Sequence, residues 1–325
     1  MQIAARSFAK INIGLRIGPR REDGFHELRT IYQTLAIHDV VKVDVGRGVG
    51  ISIFCKNPRV PADETNTCWR VAERVLHTLK TRGKVRITIE KNLPVQGGLG
   101  AASSNAVVTI LALEKALKLQ LAPSDRLRIA SEVGSDLPLF LVGGTMLGIG
   151  RGEQVYPLED LPGIPCVVAT PPIGVSTPLA FAEWDKKLSE THKLTGSERS
   201  ATMNEFSHST YEWLGRSNGS STGVPEKSWD RVETLLLDLV RAGIENDFES
   251  VVFSMHPAIR EVKRVLERSG ARYSSLSGSG STVYGLFDDA EMAAKAAAVL
   301  NEKGTPAQAT STLTRVEYWK EMFRK

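Results

Sequence analysis

PVQGGLGAASSN, residues 94 to 105, places three glycines and two alanines within six residues and follows them with two serines and an asparagine. An apolar helical pattern begins at once. Ala106, Ile110, Leu113 and Leu117 are spaced four, three and four apart, which puts them on one helical face. Upstream, VRITIE (85–90) alternates as a half-buried strand does. A strand, a small-residue loop and a helix in that order have two explanations. One is close packing of helix against strand. The other is an anion site, because a helix start offers unpaired N–H groups and the positive end of its dipole, and small residues let phosphate oxygens reach them. The loop by itself does not choose between the two.

The string is not a Walker A loop, since no GxxxxGK followed by Ser or Thr occurs in the chain. Nor is it a dinucleotide fingerprint. Gly98-Leu99-Gly100 runs on to Ala102 and Ser103 where a third glycine would stand, and it lies about a hundred residues into the chain rather than in the first strand–helix turn. Ser103 and Ser104 are candidates to cap the helix, or to touch a phosphate or its magnesium ion.

Outward from the loop, the first half reads as mixed α/β. Ile11, Ile13, Leu15 and Ile17 alternate as a strand, VVKVDV (40–45) and GISIF (50–54) are two more, and Asn66 can cap a helix carrying Cys68, Val71, Ala72, Val75, Leu76 and Leu79. A shorter helix, 127–133, stops at Gly134. Turn residues in GIGRGEQV and LEDLPGIP place a boundary between a unit of residues 1–158 and one of 159–325. The second unit starts with a strand at 166–169. Its segment 186–227, rich in Ser, Thr, Gly and charge, reads as a long mobile excursion with one short helix near 211–214. Helices at 232–241 and 259–269, strands at 273–277 and 282–287 around SGSGS (277–281), and an alanine-rich helix at 290–300 follow.

The bulk numbers exclude several classes. Of 325 residues, 42% are hydrophobic and 24% charged, as in soluble globular proteins. The net charge of +4 suits an anionic small molecule and, with no basic face interleaved with aromatics, argues against nucleic acid. Cys55, Cys68 and Cys166 form no CxxC pair, which disfavours a disulfide framework or structural zinc and fits a reducing compartment. No HExxH, signal-peptide core or bilayer-length apolar run is present, so the expectation is a cytoplasmic protein without a membrane partner.

Three further stretches carry chemical side chains. Lys10 sits among apolar strand residues in FAKINIG, where a lysine is ordinarily an edge residue with its ammonium in water. Asp136 in GSDLPLF follows a helix end and precedes a proline-containing apolar run, the usual place of a turn or capping aspartate. RREDGFHEL (20–28) contains an Asp-Gly hairpin turn, which accounts for Asp23 and Gly24 and leaves Phe25 and His26 without a role.

Taken together, SFAKINIGL, RREDGFHELRT, PVQGGLGAASSNA, GSDLPLFLVGG and LSGSGSTVYGLF resemble, in that order, the galactokinase/homoserine/mevalonate/phosphomevalonate (GHMP) family of small-molecule kinases. The resemblance covers roughly residues 6–310. It implies a two-domain α/β kinase fold of α+β type, with an N-terminal ATP-binding domain like domain 2 of ribosomal protein S5 and the active site in the interdomain cleft. The AKIN segment paired with RREDGFHEL points to the branch that phosphorylates the 2-hydroxyl of diphosphocytidyl-methylerythritol in the non-mevalonate isoprenoid pathway. That activity uses ATP and Mg2+, and the protein would be a monomer or homodimer. By the same resemblance, Pro94, Gly97, Gly98, Leu99, Gly100, Ala101, Ala102, Ser103 and Ser104 hold ATP, and Asp136 takes the hydroxyl proton beside Lys10. Asn12 contacts the substrate, Phe25 and His26 hold cytosine, and Phe181 in STPLAF covers the other face of the base. Gln96, Ala101 and Ala102 stand where many members carry glycine, and Phe25 where tyrosine is common. A sister kinase for mevalonate, homoserine or a sugar is the alternative, and an S5-like RNA-binding protein a distant one.

Overall fold

β1 (Gln2–Arg20) and β2 (His26–Gly46) form one long antiparallel hairpin that carries most of the residues of interest. The computed structural model describes residues 2–191, 203–210 and 228–324. The Asp-Gly turn is where the sequence places it: Gly24 has φ +83°, and the Arg21 N–H donates to the Phe25 carbonyl at 2.7 Å. Register shifts at Phe8/Ala9, Ile13/Leu15 and Ile17/Arg20 bend the hairpin. β2 is long enough to pair in turn with β4 (Lys84–Glu90) and β5 (Thr145–Gly150). β3 (Gly50–Cys55) lies parallel to β4, and β6 (Gln154–Pro157) completes the sheet beside β5.

Two helices, α1 (Thr67–Thr78) and α2 (Ala101–Leu117), cover this sheet. Val41, Val43, Val85 and Ile87 bury against Val71, Val75, Val107 and Ile110. α2 is buried well beyond its expected single face, because it is wedged between β1, β2 and α1. α3 (Pro123–Val133) ends at Gly134 as read, and the single turn α4 (Leu137–Phe140) follows Asp136.

A second, antiparallel sheet has the order β10-β7-β9-β8, made of β7 (Pro165–Ala169), β8 (Tyr273–Leu276), β9 (Val283–Leu286) and β10 (Ala307–Ser311). It packs with helices Glu249–Met255, Pro257–Arg268 and Ala290–Glu302. The halves share a core in which Ile11, Ile13, Ile31 and Leu35 of the hairpin meet Val168, Tyr284 and Leu286 of the second sheet. The first sheet's last strand ends at Pro157 and the second sheet's first strand begins at Pro165. The last helix, Arg315–Met322, crosses back: Tyr318 donates to the Phe140 carbonyl at 2.7 Å and Arg6 pairs with Glu321.

Part of the 186–227 excursion falls among the described residues. Residues 186–191 complete α5 (Thr177–Thr191), and 203–210 are helical with Met203, Phe206 and Thr210 buried. The short helix expected near 211–214 lies outside the described residues. No helix among the described residues is long and apolar enough to cross a membrane.

Candidate active site

α2 begins at Gly100, which sits at the N-cap with φ +69° and no side-chain cap. The first intrahelical bond runs from Ser104 N–H to the Gly100 carbonyl, so the N–H groups of Ala101, Ala102 and Ser103 precede it, unclaimed by the helix. These residues, with Pro94, Gly97, Gly98 and Leu99, line a cleft of about 360 Å³ whose lining also includes Asn66, Lys91 and Asn105. The capping expected of Ser103 and Ser104 is not found. Ser104 is fully buried, its hydroxyl accepting from Ser7 at 2.8 Å, because its place in the first turn faces the β1 core. Ala101 and Ala102 are helical, and their methyl groups need no left-handed backbone. Gln96 does adopt one, at φ +63°, a strain of about 1–2 kcal/mol for an exposed non-glycine residue.

Lys10 is only 3% exposed, not an edge lysine in water. Its backbone N–H donates to the Leu99 carbonyl at 3.0 Å, which fixes β1 against the loop. Its ammonium lies 2.7 Å from Asn12 Oδ1, 3.4 Å from Asp136 Oδ2 and 5.6 Å from the Tyr32 ring centroid. A buried ammonium needs such partners. Asp136 occupies the N-cap of α4 yet makes no capping bond, so its carboxylate faces Lys10 and the Tyr32 hydroxyl (3.5 Å) instead of serving the turn. Burial and the neighbouring carboxylate push the Tyr32 phenol well above its usual range, which keeps it a proton donor. Asn12 is used at both ends, accepting from Lys10 and donating to Thr30 at 2.8 Å, so in this arrangement it holds the lysine.

The hairpin tip carries the other group. His26 is buried, with Nδ1 3.1 Å from the Gly18 carbonyl and Nε2 3.3 Å from Asp185. Its ring stacks on Phe181, with centroids 5.2 Å apart and planes within 6°. Phe25 is 53% exposed and faces the Arg151 guanidinium, 5.1 Å from its ring centroid. The structure therefore gathers Lys10, Asn12 and Asp136 beside the loop, and His26 with Phe181 at the tip. It does not bring Phe25 against Phe181.

Tyr32, Asp39, Lys91, Asn105 and Arg151 did not stand out in the sequence. Asp39 had a signal, as a carboxylate closing the apolar run TIYQTLAIHD. It is fully buried and accepts from Lys91, from the N–H groups of Asn92 and Leu93, and from Asn105 Nδ2. Among the described residues, no three His, Cys, Asp or Glu side chains are grouped to hold a metal.

This fold, with a bare helix start beside a lysine–aspartate pair, defines a small-molecule kinase of the GHMP class. The family descriptions GHMP kinases N terminal domain and GHMP kinases C terminal match residues 66–144 and 226–305. Over 302 residues the chain is 35% identical to the 4-diphosphocytidyl-2-C-methyl-D-erythritol kinase of Solibacter usitatus, covering 92% of this chain and 86% of that one. It is 31% identical to the kinase of the same name from Geobacter sulfurreducens, over 96% and 99% of the two chains. A crystal structure of 4-(cytidine 5'-diphospho)-2C-methyl-D-erythritol kinase superposes with a TM-score of 0.71 at 29% identity, covering 95% of this chain and 99% of that one. Homoserine kinase from Cytophaga hutchinsonii, at 19% identity, TM-score 0.68 and coverage of 96% and 95%, shares the fold. The chain belongs to the 4-diphosphocytidyl-2-C-methyl-D-erythritol kinase family and is an ATP-dependent phosphotransferase.

Proposed function

We propose that the protein transfers the γ-phosphoryl group of ATP to the 2-hydroxyl of 4-diphosphocytidyl-2-C-methyl-D-erythritol, a step of the non-mevalonate isoprenoid pathway. The observation that carries the reading is the double engagement of Lys10. Its N–H is bonded to the small-residue loop at Leu99, and its ammonium stands 3.4 Å from Asp136. One residue thus joins the phosphate-binding loop to the carboxylate that receives the hydroxyl.

Phosphoryl transfer asks the protein for positioning, charge neutralisation and an oriented hydroxyl. The N–H groups of Ala101, Ala102 and Ser103 meet phosphate oxygens at the positive end of α2. Asp136 accepts the hydroxyl proton, Lys10 shares that hydroxyl and offsets its developing charge, and Asn12 holds Lys10 in place. Asn105, buried beside the cleft, donates to Asp39 and leaves its Oδ1 without a hydrogen-bond partner among the described residues. Magnesium fits a site with few protein ligands, because it is commonly held by one or two carboxylates together with substrate phosphates. The half-buried Asp136 carboxylate and the Ser103 hydroxyl are the residues that would hold it. Bound, the ion would supply charge neutralisation to the phosphoryl oxygens.

At the tip, Phe25 offers an exposed ring for a pyrimidine, and the His26–Phe181 stack forms the adjoining wall. Mevalonate and homoserine have no base to place there. A small anionic substrate in a cytoplasmic setting fits the +4 charge and the three free cysteines. The test is ADP release with a panel of alcohols. Diphosphocytidyl-methylerythritol should be far the best acceptor, and equal rates with mevalonate or homoserine would defeat the assignment.

A further inference from the structure

The hydroxyl end and the base end of this site lie far apart on one strand. His26 and Tyr32 are six residues apart on β2, a separation of roughly 20 Å at the rise of a strand. A substrate that engages both ends must be long, and on the reading above its middle is a diphosphate. The turn between β5 and β6 stands beside that middle. Gly150 is paired with Leu28, two residues from His26 and four from Tyr32, and its N–H donates to the Glu27 carboxylate at 3.1 Å. Gly152 accepts from the Tyr32 hydroxyl at 3.3 Å, so the turn is fastened at its hydroxyl end too. A Cβ at Gly152 would lie 2.4 Å from the Tyr32 oxygen, which keeps the approach tight.

Arg151 projects from this fastened turn. Its Cζ lies 5.1 Å from the Phe25 ring centroid, and its backbone N–H is anchored on Glu153 at 2.7 Å. Glu153 reaches Arg151 Nε only at 3.5 Å. Among the described residues the terminal nitrogens Nη1 and Nη2 donate no hydrogen bond. A planar cation with unused paired donors suits two anionic oxygens on neighbouring phosphates.

We propose that Arg151 binds the diphosphate of the substrate and so selects a nucleoside diphosphate derivative over a neutral nucleoside or a bare polyol. The inference rests on the assignment of Phe25 and His26 to the base. Glu153 holds the turn, and Asp23 on the hairpin is the other carboxylate near the guanidinium.

The test compares cytidine with cytidine diphosphate as competitors of the diphosphocytidyl substrate, for the natural enzyme and for Arg151→Gln and Arg151→Lys. The natural enzyme should prefer the diphosphate by about tenfold or more, the scale of a hydrogen bond to a charged group. Arg151→Gln should lose most of that preference and raise the substrate KM about tenfold, with kcat and the ATP KM changed by less than about threefold. Arg151→Lys should recover part of the preference. If Arg151→Gln keeps the full preference for the diphosphate, the contact does not exist. If it weakens cytidine and the diphosphate equally, Arg151 merely orders Phe25, and the proposal is also wrong. A natural enzyme that binds neither competitor would overturn the base assignment and this contact together, an outcome distinct from the first two.

Discussion

The Ser277 hydroxyl donates to the Gly98 carbonyl at 2.9 Å, and a Cβ on Gly98 would sit 2.3 Å from the Ser277 carbonyl oxygen. The two small-residue loops of the chain, one from each half, therefore pack backbone against backbone. Gly97 is held likewise, with a Cβ there 2.9 Å from Thr282 Oγ1. At Gly100 a Cβ would lie 2.8 Å from Phe140 Cζ and 3.1 Å from Lys10 Cγ, so a side chain there would crowd both. The glycines answer to packing. The N–H groups of the next three residues stay unclaimed by the helix, and the proposed phosphate contacts fall there.

Gly98→Ala should accordingly be far more damaging than Gly24→Ala. Both residues have positive φ, but nothing lies within 4 Å of a Cβ at Gly24. The left-handed backbone alone costs about 1–2 kcal/mol, and the steric clash at Gly98 adds about 1–3 kcal/mol more. Denaturant unfolding measures the pair. Equal losses would mean that the two loops do not clasp.

Asp39→Ala should weaken both the fold and the nucleotide site. Removing this carboxylate strands the buried Lys91 ammonium and two backbone N–H groups, a loss of about 3–5 kcal/mol by the usual measure of a broken buried pair. Lys91 and Asn105 also line the loop cleft, so the ATP KM should rise with it. Stability measured with and without ATP separates the two effects. A variant as stable as the natural protein would contradict the role given to Asp39.

Phe25→Ala should weaken substrate binding by about 1–3 kcal/mol, the scale of stacking on a base. Stability should change by less than about 0.5 kcal/mol, since the ring is half exposed. Saturating turnover should suffer little, because Asp136 and Lys10 lie at the other end of the strand. Substrate titration and kcat together check this, and a loss confined to kcat would place Phe25 elsewhere.

The loop, its flanking strand and helix, and the Asp-Gly turn were legible because each carries local chemistry: small residues, strict alternation or a required positive φ. The middle of β2 was not. Residues 30–35 are buried on both faces, between α2 and the second sheet, so no alternation marks them as a strand. Lys10 and Asp136 each read locally as ordinary, an edge lysine and a turn aspartate. What sets them apart is the pairing of β1 with the loop, a contact between residues about ninety positions apart that no local pattern encodes. Tyr32 and Arg151 were hidden for the same reason. Ser104 looked like a cap because helix starts favour serine, and only the packing of α2 on Ser7 turns it inward.

The most direct test is the maximal rate of Asp136→Asn. Asparagine keeps the shape and removes the charge, and Asp136 makes no capping bond to lose, so the fold should survive with a modest loss of stability as the buried Lys10 ammonium gives up its carboxylate and keeps Asn12. If Asp136 accepts the hydroxyl proton, kcat should fall by about 10²–10⁴-fold, the usual size of a general-base contribution, while ATP and substrate affinities change little. Lys10→Met should lose activity in the same way, and the double variant should lose less than the product of the two, since both act on one hydroxyl. An Asp136→Asn enzyme that turns over at a near-normal rate would contradict the account.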